Sequence, residues 1–399
     1  MNSLRSLSVA LVVPAFDTGG LEQTALNLHR AYRAAGVPSV ILIEANNYGE
    51  LARKVAREEV FIFNGNEEAF LSELFERRIN LVHYHYSTFG LRELSRIGVR
   101  TAYTLHNVYT WLDDETFAAR AEQILEADDI VAVSRWVRDY FCFRAGVDGD
   151  RVTVIQNGID LSGLKSAACS QTRNSLGISQ DAFVFATVAS MHRNKHHLVA
   201  IAAAERLALE GADLRLLLVG GGGDPQYASL VRDRMLASPA KDKIQIIVPQ
   251  IPHEQMGAFY GEAVDAILLP SLQEGCSNVV LEGLATGRPM ILTDVGNARE
   301  AENLSADVTV IPPAYQDVAT LTPDMIVRLS EMDQTNNLDA LMVAMRNLIA
   351  TKKPISASAS RPDPSLLGAI SAERMSASYF SLVVEGRPLL TWPRPERYA

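Results

Sequence analysis

Short apolar runs recur along the chain, separated by stretches whose apolar residues fall three and four apart. The first part carries "VALVVPA", "SVILIEA", "VFIFN", "INLVHYH", "RTAYTLH", "DIVAVS" and "RVTVIQN". The second carries "FVFATVAS", "LRLLLVGG", "KIQIIVPQ", "DAILLPS" and "PMILTDVG". These runs are continuous in Val, Ile and Leu instead of alternating, which marks strands buried on both faces. The intervals are helical in period. "LEQTALNLHRAYRAAG" is one of them, with Gly36 as its stop and Pro38 just beyond. Strands alternating with helices predict an α/β chain built on parallel sheets.

The series breaks at "NGIDLSGLKSAACSQTRNSLGIS", Asn157 to Ser179, and a hinge is expected there. Two Rossmann-like domains follow, over 1–160 and 161–370, with ligand expected at the carboxyl ends of the strands in the cleft between them. A length of 399 residues, 48% apolar and 21% charged, suits two cores better than one. After Glu300 the pattern weakens. "TKKPISASASRPDPSL", Thr351 to Leu366, reads as a flexible connection, and "SAERMSASYFSLVVEG" as a last helix. The stretch 371–399, helix and tail, is expected to pack back on the first domain.

The formal net charge of −10 argues against a nucleic-acid partner. Cys142, Cys169 and Cys276 lie far apart and form no C-x-x-C pair, which suits a reducing cytoplasm and gives no zinc site. "MNSLRSLSVALVVPAF" reads as a first strand, not a signal peptide, because Pro14 interrupts it and no small-residue cleavage site follows. No stretch reaches the ~18 apolar residues of a membrane span. A cytoplasmic protein is expected, at most attached to the inner face of a membrane.

Folding does not ask for "EGCSNVVLE", Glu274 to Glu282. Pro270 ends the strand "DAILLP", and Glu274 stands in the loop beyond it. Ser277 is placed to cap a helix running from Asn278 until Gly287 stops it. Val280, Leu281 and Leu284 form its core stripe, while Asn278 and Glu282 share the opposite side. The amides of Gly275, Cys276, Ser277, Asn278 and Val279 then make a positively polarised helix start, flanked by two carboxylates. Amides suit phosphate oxygens, and carboxylates accept from vicinal hydroxyls. A nucleotide-sugar carries both. The plainer alternative leaves Glu274 a loop acid and Glu282 a solvated helix residue.

"PSLQEGCSNVVLEGLATGRPMILTDVGNARE" resembles the retaining, metal-independent GT-B glycosyltransferases of glycosyltransferase family 4. The resemblance continues in "PAFDTGGLEQTALNLHRAYRAAG", "LVHYHYS", "TAYTLHN", "VIQNGID" and "VASMHRNKHHLVAIAAAERL", in the family's order. It implies that Glu274 touches hydroxyls of the donor sugar and Glu282 the ribose of its nucleotide. It puts the amides around Ser277 and Asn278 against diphosphate and sugar, and makes Lys195 the phosphate-binding lysine. Gly19 and Gly20 match the glycine loop where donor phosphate and acceptor approach, and His106 the histidine that reaches the donor sugar. The implied chemistry keeps the anomeric configuration and uses no metal and no cofactor beyond the donor, which is a substrate. The leaving diphosphate takes the acceptor's proton, so the protein positions groups and stabilises charge.

The sequence departs from the family at several points. Ala189 and Ser190 replace the usual Gly-Arg before the lysine, with Arg193 the candidate second cation. Cys276 stands where an aromatic is common, and Asn297 where a second glycine is usual. Residues 301–371 match little.

Other features have a plain and a sharp reading. "DGD", Asp148 to Asp150, is a polar turn or a metal-binding D-x-D. His83 and His85 share one strand face and are acceptor-side candidates, or metal ligands. His192, His196 and His197 are solvated loop residues or add charge beside Lys195. Cys276 at a helix start has no identifiable base to make it a nucleophile. "GGGGDPQ" lacks the Walker lysine and reads as a strand-to-helix turn. In "RWVRDYFCFRAG", Trp136, Val137, Tyr140, Phe141 and Phe143 form a core stripe or a surface for a lipid-linked acceptor. Arg92, Arg96 and Arg100 are a solvated face or a basic patch for peripheral membrane association.

The reading is a glycosyltransferase moving a sugar from a nucleotide-sugar donor to a glycan, lipid-linked or small-molecule acceptor. Its rivals are a hydrolysing nucleotide-sugar epimerase and a non-catalytic sugar-nucleotide-binding subunit.

Overall fold

The computed structural model describes residues 7–17, 19–45, 48–165, 167–247, 251–351 and 362–385. The chain divides into two compact units, one running to Gly158 and resuming at Ala372, the other Ile159–Ser371.

The first unit holds a seven-stranded sheet in the order β3-β2-β1-β4-β5-β6-β7. These are β1 (Val9–Val13), β2 (Ser39–Ile43), β3 (Val60–Ile62), β4 (Leu81–His85), β5 (Arg100–Leu105), β6 (Asp129–Ala132) and β7 (Thr153–Val154). Every pairing is parallel, with Leu11 beside both Ile41 and His83. The second unit holds a six-stranded sheet in the order β10-β9-β8-β11-β12-β13. Its strands are β8 (Phe183–Val188), β9 (Leu214–Val219), β10 (Ile244–Ile247), β11 (Ala266–Leu269), β12 (Met290–Thr293) and β13 (Val308–Ile311), again all parallel. The central strands are buried on both faces, which is why they read as continuous apolar runs.

Each sheet reverses its order once, between β1 and β4 and between β8 and β11. Connections leaving adjacent strands in opposite directions open a crevice at their carboxyl ends. In the second unit this sets the loop after β8 beside the loop after β11. In the first, the glycine loop after β1 lies at the edge where β4 and β5 end.

The last helix, Ala372–Glu385, belongs to the first unit. Met375, Tyr379 and Val383 join the core of β1, β2 and the helix Gly20–Ala34. Its final carbonyls are taken by Arg100, which is wholly buried on β5. The guanidinium donates to the carbonyls of Leu382 (2.9 Å) and Val383 and pairs with Asp129 at 2.7 Å.

Several expectations need correction. Arg100 is a core residue, Arg92 pairs with Glu126 at 2.7 Å, and only Arg96 stands clear on that helix face. The three arginines therefore form neither a common solvated face nor a basic patch. The aromatic stripe of the helix Arg135–Ala145 splits: Val137, Tyr140 and Phe141 are core, whereas Phe143 is 70% exposed. Residues 301–351 contain β13 and the helices Pro323–Ser330 and Leu338–Ala350. The strand β13 was hidden because it is a short sheet edge with an exposed Thr309. Of the expected flexible connection, 352–361 lies outside the described residues, and Pro364–Ala369 is helical. Asp148 accepts from the amide of Asp150 at 3.0 Å, closing a turn. Among the described residues no helix is long and apolar enough to cross a membrane.

Candidate functional site

In the second unit, the loop after β8 makes one short turn, Arg193–Lys195, and then passes through His196 at φ 52°. Asn194 ties it to the loop after β11: its carbonyl accepts from the Leu272 amide at 2.7 Å and its side chain donates to the Gln273 carbonyl at 3.3 Å. Lys195 Nζ thereby reaches both oxygens of Glu274, at 2.7 and 2.9 Å. Ser271 donates to Glu274 Oε1 at 2.7 Å, so the carboxylate is held from two sides. The pair is half-buried, where a salt bridge adds orientation more than stability.

Glycines permit this approach. Gly296 has φ 60°, and a Cβ there would lie 2.6 Å from Glu274 Cβ and 2.9 Å from the Gly275 carbonyl oxygen. Gly220, in the four-glycine turn after β9, has φ 153°, and its Cβ would lie 2.0 Å from the Ala189 carbonyl oxygen. That turn supports the Lys195 loop from behind.

The helix Asn278–Thr286 begins and ends where the sequence puts it, with Gly287 left-handed at φ 62°. Its start differs in one respect. The Ser277 side chain makes no capping bond; its backbone amide instead donates to Asn297 Oδ1 at 2.9 Å. Asn297, in place of a second glycine, thus occupies one of the amides expected to face an anion. Cys276 and Val279 pack partly into the core below, and Gly275 sits under Gly296.

Glu282 is not a solvated helix residue. It is buried at 6% exposure; Tyr260 donates to Oε2 at 2.8 Å, and His253 Nδ1 lies 3.4 Å from Oε1. The hydrogen bond to Glu282 raises the His253 pKa, against the opposing effect of burial. Sequence reasoning missed both partners. Their signal was present in "HEQMGAFY", where His253 and Tyr260 stand seven apart, on one face of the helix His253–Ala263.

Arg193 is not a free second cation. Its guanidinium pairs with Asp224 at 3.0 Å and with Glu331 at 2.7 Å. Nor do His196 and His197 add charge or sit in solvent: burial lowers their pKa values to about 4 and about 3. His192 reaches solvent, and its pKa is lowered by the partial desolvation of its ring and then by Lys195.

In the first unit, Gly19 precedes and Gly20 opens the helix Gly20–Ala34, with Glu22 folded back so closely that a Cβ on Gly19 would strike its carboxylate. Burial raises the Glu22 pKa. His106 directly follows β5 and shares a hydrogen bond with His85 (Nε2 to Nδ1, 2.8 Å). Burial drives His85 well below the usual imidazole range and His106 to about 3, so both are neutral. His83 is a correction. It lies at 1% exposure, bonded to Thr104 Oγ1 at 2.7 Å, and Thr104 shares a hydrogen bond with Tyr379 of the last helix. It is core and lines no open surface. His85 is equally buried and lies behind His106.

The model for Glycosyltransferase Family 4 matches residues 18–162, and that for Glycosyl transferases group 1 matches 182–331. Among curated relatives, the D-inositol 3-phosphate glycosyltransferase of Streptosporangium roseum is 30% identical over 244 residues, 56% of each chain. That of Corynebacterium efficiens is 30% identical over 287 residues, 64% of this chain and 65% of the relative. The chain thus spans between about half and two thirds of the curated relatives it matches. Among solved structures, a glycosyltransferase from Rickettsia africae superposes with TM-score 0.73 at 18% identity, covering 95% of this chain and 98% of its own. Anabaena HepE in complex with UDP and glucose gives 0.71 at 15% identity, covering 95% and 99%. At those identities the likeness is one of fold, and the fold is GT-B. With both family models matched in order along it, the chain belongs to the GT-B glycosyltransferases of family 4 and group 1.

Proposed function

We propose that this protein is a retaining glycosyltransferase that needs no metal and takes its sugar from a nucleoside diphosphate donor. The observation that carries the reading is the Lys195–Glu274 pair set beside the start of the helix that buries Glu282. Glu282, oriented by Tyr260, accepts from the ribose hydroxyls. The diphosphate lies over the helix start, where the amides and Lys195 supply the positive charge a divalent cation supplies in other transferases. Lys195 leaves Glu274 for phosphate as the donor binds, and Glu274 is released to accept from hydroxyls of the transferred sugar. The bond from C1 to the β-phosphate oxygen then breaks while the acceptor oxygen bonds C1 on the same face. The acceptor's proton passes to the departing phosphate.

A UDP-sugar is the first donor to test, because HepE and the pneumococcal O-GlcNAc transferase GtfA, of the same fold, carry UDP in their structures. A thermal melt with UDP, GDP, ADP and CMP at millimolar concentration is the decisive experiment. A ligand at ~100 times its dissociation constant adds about 2.7 kcal/mol to the unit that binds it. One nucleoside diphosphate should raise the midpoint, and Glu282→Ala should abolish the rise. If none of the four shifts it, the proposal fails.

A further inference from the structure

Three aromatic rings cluster where β4 and β5 end, and the donor chemistry uses none of them. Tyr86 lies nearly parallel to Trp111, with centroids 6.0 Å apart and planes at 23°. Tyr109 wedges against both, 5.4 Å from Tyr86 and 5.5 Å from Trp111. Behind them Tyr86 stacks on His106 at 6.2 Å and 10°. Trp111 is 46% exposed, whereas Tyr109 is buried.

A single exposed tryptophan is ordinary on a surface. This one is held at some cost. Tyr86 and Tyr109 have φ of 68° and 51°, a region that bulky L-residues avoid by about 1–2 kcal/mol each. Two arginines fix the strained backbone: Arg120 donates to the Tyr86 carbonyl at 2.6 Å, and Arg144 to the carbonyls of Tyr109 (3.3 Å) and Leu112 (2.8 Å). The Tyr109 hydroxyl is locked to that of Tyr103 at 3.1 Å. Strain that neighbours over-determine is found where geometry serves a ligand.

Apart from these two arginines, the polar groups around the rings are acceptors and neutral donors. The Tyr86 hydroxyl lies near the Asn107 side chain and in the fields of the Glu22 carboxylate and the Arg120 guanidinium. Asp17 acts on Glu22 from the same edge. His85 Nε2 is buried and has no partner among the described residues. Both arginines that reach the cluster donate to carbonyls; Arg144 is further offset by Asp114 at 2.9 Å, while Arg120 keeps its charge beside the rings. A flat ring face flanked by carboxylate and amide matches a pyranose, whose C–H face is apolar and whose rim is hydroxyl. It disfavours a phosphate, which would meet the Glu22 and Asp17 carboxylates with the Arg120 charge to set against them.

We propose that Trp111 and Tyr86 form the acceptor platform and that the acceptor presents an uncharged sugar ring to it, unlike the D-inositol 3-phosphate named for the curated relatives. This rests on the transferase reading for its role in the reaction, although binding to the platform is separable from it.

The test uses the full chain with Trp136→Phe and Trp392→Phe, so that emission reports Trp111 alone. Methyl glucoside and methyl mannoside are titrated against glucose 6-phosphate and mannose 6-phosphate. The uncharged sugars should shift or quench Trp111 emission and the phosphates should not. In the otherwise native chain with the donor, Trp111→Ala should raise the KM for the sugar acceptor about tenfold, with Trp111→Phe recovering most of it. The melting shift given by the nucleotide should persist in Trp111→Ala. Emission unmoved by either sugar, equal response to the phosphates, or an unchanged acceptor KM would each overturn the platform. A melt panel in which no nucleotide binds would instead defeat the transferase reading, while the emission titration still decides whether the sugar stacks.

Discussion

Glu274 and Glu282 lie one short segment apart yet in different surroundings, because one faces a cation and the other a phenol and an imidazole. Glu274→Gln keeps the shape but removes the charge that holds Lys195; single-turnover kinetics should show a larger loss in kcat than in nucleotide affinity. Asn297→Gly should cost about 1 kcal/mol without ligand, since it strips the Ser277 amide of its acceptor. Part of that cost should return when nucleoside diphosphate is present, as phosphate takes the freed amide; paired melts of both chains check this. His253 gives a pH test. Its pKa is raised from 6.5 chiefly by the hydrogen bond to Glu282, so the pairing stabilises the fold fully below about pH 6.5 and fades as pH rises through the raised value. The gap between wild-type and His253→Ala melting temperatures should therefore narrow from pH 5.5 to 8.5. The places of Glu274 beyond β11 and of Glu282 in its helix were legible in the sequence because strand ends and helix starts are local, whereas Lys195 was singled out by the family resemblance. Tyr260, His253 and the Asn297 contact were not, because each crosses from another element and depends on how helices pack on the sheet.

At the scale of elements, most strands followed from their unbroken apolar runs, and helix stops such as Gly36 and Gly287 from their glycines. What escaped was the fate of polar groups inside the packing. Arg100 reads as one more surface arginine, yet it ends up between β5, Asp129 and the final turn of the helix Ala372–Glu385. Removing one partner of such a buried pair costs about 3–5 kcal/mol. Arg100→Leu should lower the melting of the first unit by that scale, and proteolysis at its last helix should report it. The second unit, Ile159–Ser371, should melt unchanged. His83 escaped for the same reason: its alternation with His85 suggests an open edge, and only the returning helix covers it. Gly296 is the reverse case, a backbone position whose need is set by the loop beside it. Gly296→Ala should destabilise the site and shift Glu274, lowering kcat even where the protein still folds.

For the molecule as a whole, the buried histidines set its acid limit. His83, His85, His106, His196 and His197 are all held neutral by burial, with pKa values below the ordinary 6.5. Their contribution is present above that value and is lost as pH falls toward their depressed values, because unfolding lets them charge. Stability should decline from about pH 6.5 downward, and a urea series at pH 7 and pH 5 measures the difference. His197 has both ring nitrogens unpartnered among the described residues, so His197→Phe should be tolerated at pH 7 and should soften that decline. The two-unit plan follows from the order of runs along the chain, and the return of the last helix to the first unit was expected as well; what the runs do not reveal is which side chains make it, Met375, Tyr379 and Val383 filling a core begun by Leu7 and Val9. During synthesis, that core stays open while every residue of the second unit leaves the ribosome. The second unit can close as soon as it emerges; the first must wait for the last helix with its apolar sheet face unprotected. A nascent chain arrested after Ser371 should therefore carry a protease-resistant second unit and a chaperone-bound, cleavable first one.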